Sequence, residues 1–393
     1  MFGIGKKSGD TTYAACLDIG SGSVGIAIIA SNPAASAPEI VFSDRVPMRL
    51  TQNRDGKTLL HALKEALMTV VSRIDTAGLS ALHKTHPHAR ITTLQVTSSA
   101  PWAYTVKRTV RLEHDEPTKI TKELFTELQE KANKESEKSV NENDVARMYE
   151  LRVVEHATVY TKINDYIVVN PVGKMGTSFE LVQMIQLIPE PVIDLVEHIQ
   201  SRIFPHARIK IHTYVCSLYS VVRDLAPNVH NATFIDVSAE ATEIGVMEDG
   251  ILGTVMHIPT GYNSLIRNQS AKKHVPAAHA TSSLRAFTDG TLEESDRGAV
   301  TACISEYQKT LIAALKVLAQ SGHIPPHIVL TSSTGIDTLL QESVVAAVGA
   351  ITPIPATLID LTALYGEQAH TGPHMDTFLQ VTTRFFHKVH HTV

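Results

Sequence analysis

Two stretches of the chain share one uncommon pattern, and this internal repeat limits the folds that are available. Residues 16–29 (CLDIGSGSVGIAII) run from apolar residues into Asp18, through a turn of glycine and serine, and into a second apolar run. Residues 234–247 (FIDVSAEATEIGVM) repeat that order with Asp236 at the same place. One strand–Asp–turn–strand unit at the start of each half predicts two similar domains that face each other across a cleft.

The first of these turns has residues suited to binding phosphate. Gly20 and Gly22 permit positive φ and a close approach of the backbone to a bound group. Successive N–H groups in such a turn, beside the hydroxyls of Ser21 and Ser23, form a concavity for phosphate oxygens. Asp18 ends the strand, where a carboxylate can hold hydrated Mg²⁺. From these residues alone, an ordinary hairpin with a solvated Asp18 is an equal alternative, and the second copy favours the binding site.

The composition excludes several classes of protein. The chain has 393 residues, 43% hydrophobic and 19% charged, which is ordinary for a globular protein with two or three domains. A net charge of −5 gives no reason to expect nucleic acid as a partner. The three cysteines, Cys16, Cys216 and Cys303, lie far apart, which is typical of reduced, buried thiols. No signal peptide and no apolar run of about 18 residues is present, so we expect a cytoplasmic protein.

The repeated pattern resembles the actin-like ATPases, the superfamily of actin, DnaK-type chaperones and sugar kinases. The resemblance implies an α/β chain with a two-domain actin-like (ribonuclease H-like) fold, whose two phosphate loops close on ATP and Mg²⁺ from opposite domains. Residues 259–263 (PTGYN) and 327–336 (HIVLTSSTGI) resemble the family's later phosphate and adenosine motifs. The implied catalytic and metal-binding residues are Asp18 and Asp236. The implied cofactor-binding residues are Gly20, Ser21, Gly22, Ser23, Ser238, Thr242, Gly261, Arg285, Ser332, Ser333 and Gly335.

The chain also departs from the family at the cofactor. The family's second phosphate loop carries three glycines, which are replaced here by Ser238, Ala239 and Glu240. Glu240 puts a negative charge where phosphates would lie, which costs binding unless Mg²⁺ bridges the two. The glycines of the adenosine motif are replaced as well, by residues 332–334. We therefore expect ATP binding to be weakened or lost, and hydrolysis still more so, because phosphoryl transfer depends on positioning.

A change of character after residue 102 predicts an insertion in the first domain. Strand patterns at 104–112, 151–160, 166–169 and 179–188 surround a helix near 120–128, and polar residues 129–144 are expected to form an exposed loop. A helix at 191–203 and a strand at 209–214 would close the unit. The loop 170–176 (NPVGKMG) and its flanking order resemble the strand-helix-strand-strand insertion of FtsA, the bacterial actin homologue of cell division. The resemblance gives domain I at 1–102 and 214–231, an α+β insertion at 103–213, and domain II at 232–393.

The C-terminal residues 375–389 place apolar side chains on one helical face, with basic residues on the other. FtsA proteins end in an amphipathic helix that binds the bilayer surface, and such a helix here would put the protein at the inner face of the cell membrane. The alternative, which we favour from the short segment before the helix, is a final helix packed on the second domain.

Three functions follow from the resemblance. The first is an FtsA-like cell-division scaffold that links filaments of a bacterial tubulin homologue (FtsZ-like) to the inner membrane, with self-association into filaments. The second is a scaffold like PilM of type IV pilus assembly, which binds a short peptide from an inner-membrane protein; the opening residues 1–7 (MFGIGKK) resemble that family. The third is an active small-molecule kinase on the same fold, which the replaced glycines disfavour.

Overall fold

The computed structural model describes residues 11–332, 334–365 and 375–391. In these ranges the strands are β1 (Thr12–Ile19), β2 (Ser23–Ser31), β3 (Glu39–Pro47), β4 (Ile91–Ser98), β5 (Tyr104–Lys119), β6 (Leu151–Ile163), β7 (Tyr166–Val168), β8 (Met175–Pro189), β9 (Arg208–Thr213), β10 (Ala232–Val237), β11 (Thr242–Glu248), β12 (Ile251–Ile258), β13 (His327–Thr331) and β14 (Thr357–Leu358). The helices are α1 (Gly56–Arg73), α2 (Leu79–Thr85), α3 (Lys122–Glu142), α4 (Asp144–Met148), α5 (Glu190–Ile203), α6 (Tyr214–Leu225), α7 (Tyr262–Lys273), α8 (Ala277–Thr288), α9 (Glu294–Leu318), α10 (Asp337–Gly349), α11 (Leu361–Tyr365) and α12 (Thr377–His391).

Two five-stranded sheets in the described ranges have the same topology. The first has the order β3-β2-β1-β4-β9 and the second the order β12-β11-β10-β13-β14. In each, an antiparallel meander of three strands is followed by two parallel strands. Asp18 lies in register with Thr97 of the neighbouring parallel strand, and Asp236 with Thr331. The predicted repeat is therefore a repeat of whole sheets, and the predicted fold class is confirmed.

Helix α1 shows how the sequence pattern produces the layers. Asp55 caps its N-terminus by accepting a hydrogen bond from the Thr58 amide at 2.8 Å. Its apolar residues recur every three or four positions, as the sequence predicts, and pack on one face of the first sheet. The buried members are Ala62, Leu63, Ala66, Leu67, Val70 and Val71.

The insertion is a four-stranded antiparallel sheet with the order β5-β8-β6-β7, covered by α3. Its predicted strand-helix-strand-strand order is confirmed, but the loop expected at 129–144 is wrong: α3 continues to Glu142. Its buried residues after Leu128 are Ala132, Ser136 and Val140, each four positions after the last. Two of these three side chains are small, so the sequence does not show a clear apolar stripe here. The abundant Lys and Glu residues look like an exposed loop, although Lys and Glu are good helix formers.

Helix α5 and strand β9 lie with the first sheet, and not with the insertion as expected. Strand β9 pairs in parallel with β4, from Thr93↔Arg208 to Ser98↔Thr213. The buried residues of α5, among them Val192 and Val196, join the same core as α1. Two parallel strands of one sheet require a crossover connection, and α5 supplies its helix. The remaining predicted boundaries, at residues 102 and 231, stay predictions.

Helix α12 packs between the two sheets beside α6, so the expected position on the second domain alone is wrong. Leu379 and Phe386 are fully buried against small and apolar side chains of β1 and β2. Phe378 and Phe385 pack with α6 and residues of the second sheet. Because this apolar face lies in the core, α12 does not present it to a bilayer surface. None of the described helices has the length and apolar character to cross a membrane.

Candidate functional site between the two turns

The turns that follow β1 and β10 touch each other directly. We call residues 20–22 the first turn and residues 238–241 the second turn. The Ser21 amide donates to Ser238 Oγ at 3.2 Å, and the two serine hydroxyls lie 2.8 Å apart. The Glu240 amide donates to Ser21 Oγ at 2.9 Å. The amide and hydroxyl groups that were predicted to bind phosphate are therefore hydrogen-bonded to one another.

Asp18 is bound by an arginine that the sequence analysis missed. The carboxylate is buried, and Arg45 Nη2 lies 2.8 Å from its Oδ2. Arg45 also donates to Ser23 Oγ at 2.8 Å and to Asp376 Oδ1, just before α12, at 3.0 Å. Burial raises the pKa of Asp18 to about 6, although Arg45 favours its ionised form. Gly25 lies opposite Arg45 in the β2–β3 register, and a Cβ there would lie 2.5 Å from Arg45 Nη2, so the guanidinium needs this glycine to reach Asp18.

Asp236 has no cationic partner of this kind among the described residues. Its Oδ1 accepts a hydrogen bond from Thr331 Oγ1 at 2.9 Å, and its buried Oδ2 has no hydrogen-bond partner. Burial and the neighbouring Glu243 carboxylate raise the pKa of Asp236 to about 8. This raised pKa favours the protonated form, which is unfavourable for a metal ligand. Glu243 itself lies 2.8 Å from His257 Nε2.

Glu240 is held by the N-terminal part of α7. Its carboxylate accepts two hydrogen bonds from Arg267, at 2.6 and 2.8 Å, and one from Asn263 at 2.7 Å. Arg54 lies 3.5 Å away. Arg267 also donates to the Thr51 carbonyl at 2.8 Å, which links the second turn to the segment before α1. A paired, two-pronged contact of this kind is the strong form of an arginine–carboxylate interaction.

Gly261 and Tyr262 complete the wall of the cleft. A Cβ at Gly261 would lie 2.2 Å from the Ser238 carbonyl oxygen, so this position needs glycine for the close approach to the second turn. The Tyr262 hydroxyl fills the space beside Gly22, 2.2 Å from where a Cβ of that residue would be. Burial raises the pKa of Tyr262 to about 12, so it stays neutral. Thr242 Oγ1 is engaged elsewhere and donates to the Thr260 carbonyl at 2.7 Å.

The residues predicted at the adenosine motif come together in part. Arg285 packs against Gly335, which has a φ of +73° and whose Cβ would lie 2.8 Å from Arg285 Nη2. Ser332 Oγ donates to Asp337 Oδ1 at 2.7 Å, and Asp337 also accepts hydrogen bonds from the amides of residues 334 and 335. The Asp337 carboxylate therefore occupies the backbone N–H groups just before α10 that could otherwise bind a nucleotide. Ser333 lies outside the described residues.

Comparison with solved structures bears on the fold. The chain is similar to a structure of the PilM–PilN type IV pilus biogenesis complex, with 14% identity, 95% of each chain covered and a TM-score of 0.53. The chain has the actin-like ATPase fold. The chain is also similar to the ethanolamine utilization protein EutJ from Carboxydothermus hydrogenoformans, with 8% identity, 96% of this chain and 91% of that chain covered, and a TM-score of 0.43. A Bacteroides thetaiotaomicron protein of unknown function with an actin-like ATPase fold is similar too, with 12% identity, 91% and 93% of the two chains covered, and a TM-score of 0.41. No family model and no curated protein matches the sequence.

The actin-like ATPase fold implies ATP and Mg²⁺, but the residues present do not fit them. The cavity between Asp18, the first turn, the second turn and Phe378 has a volume of about 20 Å³. That is room for one water molecule and not for a triphosphate. No group of three or more His, Cys, Asp or Glu residues in the described ranges is placed to hold a metal ion. The roles of Asp18 and Asp236 as catalytic and metal-binding residues stay predictions.

Four residues of this actin-like cleft could not be found from the sequence pattern. In the sequence, nothing distinguishes these four residues from others in or beside a strand or helix: Arg45, Asp376, Phe378 and Arg267. Arg45 and Asp376 are 331 positions apart, so their contact has no local signal. The register that places Arg45 opposite a glycine is the one feature that marks it, and that register requires the structure.

Proposed function

We propose that the protein is a PilM-like scaffold of type IV pilus assembly, which binds a short cytoplasmic segment of an inner-membrane protein. The observation that carries the proposal is a cavity of about 570 Å³ between the insertion and the first sheet. Its apolar lining includes Val154, Ala157, Ile209 and Ile211, and Phe385 of α12 closes one side. A cavity of this size, with apolar residues and a number of polar ones in its lining, is typical of a binding site.

Two strand edges border this cavity. Strand β9 is at the edge of the first sheet and pairs only with β4 among the described strands. Strand β6 pairs with β8 along most of its length, but with β7 only at 161–163. The free edges carry backbone donors and acceptors that an extended peptide can pair with as an added strand. Alternate side chains of such a peptide would then point into the apolar lining.

The likeness to PilM supports the same proposal, because it extends over 95% of both chains and so includes the insertion that forms one wall of the cavity. That structure is a complex with PilN, which makes a pilus inner-membrane protein the kind of partner to test. The space between the two turns, which is too small for a triphosphate, favours a binding role over an enzymatic one.

The test is a titration of the full chain into fluorescent peptides from the cytoplasmic segments of pilus inner-membrane proteins encoded in the same genome. We expect an anisotropy change with a Kd of about 1–100 µM for one peptide. Ala157→Trp fills the cavity and should weaken that binding by at least about tenfold. The control Ala350→Trp adds the same side chain at an exposed position after α10 and should leave it unchanged. Absence of binding for every such peptide contradicts the proposal.

The FtsA-like function is the second candidate and stays a prediction. It requires co-sedimentation of the full chain with filaments of the division-ring tubulin homologue. Because the apolar face of α12 is buried, α12 does not provide the bilayer-binding helix of that prediction. Co-sedimentation without binding of any pilus peptide would favour this candidate over the first.

A further inference from the structure

The carboxylates beside the two turns that form the nucleotide site in this fold are each paired with an arginine of the chain itself. Arg45 pairs with Asp18, just before the first turn, and Arg267 pairs with Glu240 of the second turn. We infer that Arg45, held by Asp376 before α12, takes the place of a cation beside Asp18, and that Arg267 of α7 joins the second turn to the first half of the chain, so that the protein keeps its closed arrangement without ATP or Mg²⁺. This closure is independent of peptide binding at the other cavity, so either proposal can fail alone.

The first contact is made by the segment that begins α12. Asp376 accepts from Arg45 at 3.0 Å and from the Leu379 amide at 3.0 Å, so it caps the helix and holds the arginine at once. The guanidinium also lies over the Phe378 ring, 5.5 Å from its centroid. Arg45 is only 14% exposed, and it lies against the carboxylate that was predicted to face the metal. The positive charge beside Asp18 is therefore supplied by the Arg45 side chain, at the position predicted for Mg²⁺.

The second contact is made by α7. Glu240 is 4% exposed, and its carboxylate oxygens are occupied by Arg267 and Asn263. The same arginine bonds the Thr51 carbonyl of the first half of the chain. The Arg267 side chain thus joins the second turn to the first half of the chain. The anion that it binds is the Glu240 carboxylate of the turn.

A triphosphate between the two turns would have to separate them. A triphosphate beside the first turn would meet the Glu240 carboxylate at close range, where like charges repel strongly in a poorly solvated site. It would also have to displace the hydroxyl of Tyr262 and separate Ser21 from Ser238. Separation would also break the hydrogen bonds from Arg267 to the Thr51 carbonyl, which makes such an opening unfavourable.

Hydrogen exchange of the full chain, measured by mass spectrometry, tests closure directly. We expect the amides of residues 19–24 and 236–242 to be protected without nucleotide, and roughly 1 mM Mg·ATP to leave that protection and the melting temperature unchanged within about 1 °C. Asp376→Asn keeps a helix cap but removes the charge that holds Arg45. It should speed exchange in residues 19–24 by at least about tenfold.

Two controls separate this inference from a general loss of stability. Glu240→Gln should speed exchange in residues 236–242 while the amides of α3, far from the cleft, keep their wild-type rates. Arg49→Ala removes an exposed arginine four positions from Arg45 and should change nothing. Fast exchange of both turns in the wild type, with protection that appears only when Mg·ATP is added, would overturn the inference, and so would saturable ATP binding that disappears with Asp18→Asn.

Discussion

Replacing Arg267 by methionine removes a charge from the second turn and keeps most of the volume of the side chain. In the wild type the arginine donates two short hydrogen bonds to Glu240, and the carboxylate is almost completely buried. After the replacement, the carboxylate keeps Asn263 and the more distant Arg54, which is 42% exposed. The single variant therefore leaves a buried anion with only partial compensation.

The expected loss follows from this geometry. Removal of one partner from a buried ion pair costs about 3–5 kcal/mol in free energy of unfolding. Because Arg54 and Asn263 still face the carboxylate, we expect the lower end, about 3 kcal/mol. Glu240→Gln in the same background removes the unpaired charge. The double variant should therefore lose about 1–3 kcal/mol less free energy of unfolding than the sum of the losses in the two single variants.

The chain has its own reporter for the measurement. Trp102 is the single tryptophan, is 5% exposed, and donates from Nε1 to the Gly20 carbonyl of the first turn at 3.2 Å. Urea unfolding followed by its fluorescence reports on the cleft, and far-UV circular dichroism reports on the whole fold. Coincident curves permit a two-state free energy, which a chain of this size requires as a check.

A coupling free energy below about 0.5 kcal/mol between positions 240 and 267 would refute the reasoning, because the two residues would then act independently. The matched control is the exposed pair Arg49–Glu65, whose charged atoms are 3.8 Å apart. Exposed pairs of this kind contribute little, and we expect a coupling within experimental error there.

Three further predictions use urea unfolding of the full chain. Phe386→Ala should cost about 3–5 kcal/mol, because the ring is fully buried between α12 and the first sheet; a loss below about 1 kcal/mol would contradict that packing. Gly261→Ala should cost at least about 1–3 kcal/mol through its contact with the second turn, whereas Gly298→Ala, in open space on α9, should be neutral or stabilising. Burial lowers the pKa of His212 to about 4. Between pH 6.5 and 4 the unfolded state therefore binds more protons than the folded state. The stability that is present above pH 6.5 is lost as the pH falls towards 4. The loss is at most about 3 kcal/mol, since Glu155 lies 3.4 Å away; a His212→Leu variant should lack this slope, and parallel curves for the two proteins would contradict it.

The repeat around Asp18 and Asp236 was enough to predict the fold, because a carboxylate at the end of a buried strand recurs with the same flanking pattern in both halves. The structure shows the reason: both residues end the central strand of a sheet and lie beside a parallel strand in register with a threonine. Such patterns are local in sequence, so they can be read before any contact is known.

The closed cleft could not be predicted in this way. The sequence indicates that Glu240 is unfavourable for phosphate, but it does not show that Arg267 neutralises the carboxylate from α7. The contact between Arg45 and Asp376 joins residues from opposite ends of the chain. Both depend on how separate elements pack, which period and propensity do not encode. The amphipathic pattern of α12 predicts a buried or bound face, and only the structure shows that the first sheet covers it.

The position of α12 has a consequence for how the protein is made. Strands β1 and β2 are synthesised long before α12, yet the surface around Ala14, Cys16, Ala27 and Ile29 is covered by residues Leu379 and Phe386. At about 5–20 residues per second, a ribosome needs roughly 20–70 s to add the intervening residues. During that time the nascent chain exposes an apolar sheet face that has no cover of its own. The first sheet therefore completes its packing only after α12 has been translated, about 350 residues later, so its folding cannot finish locally.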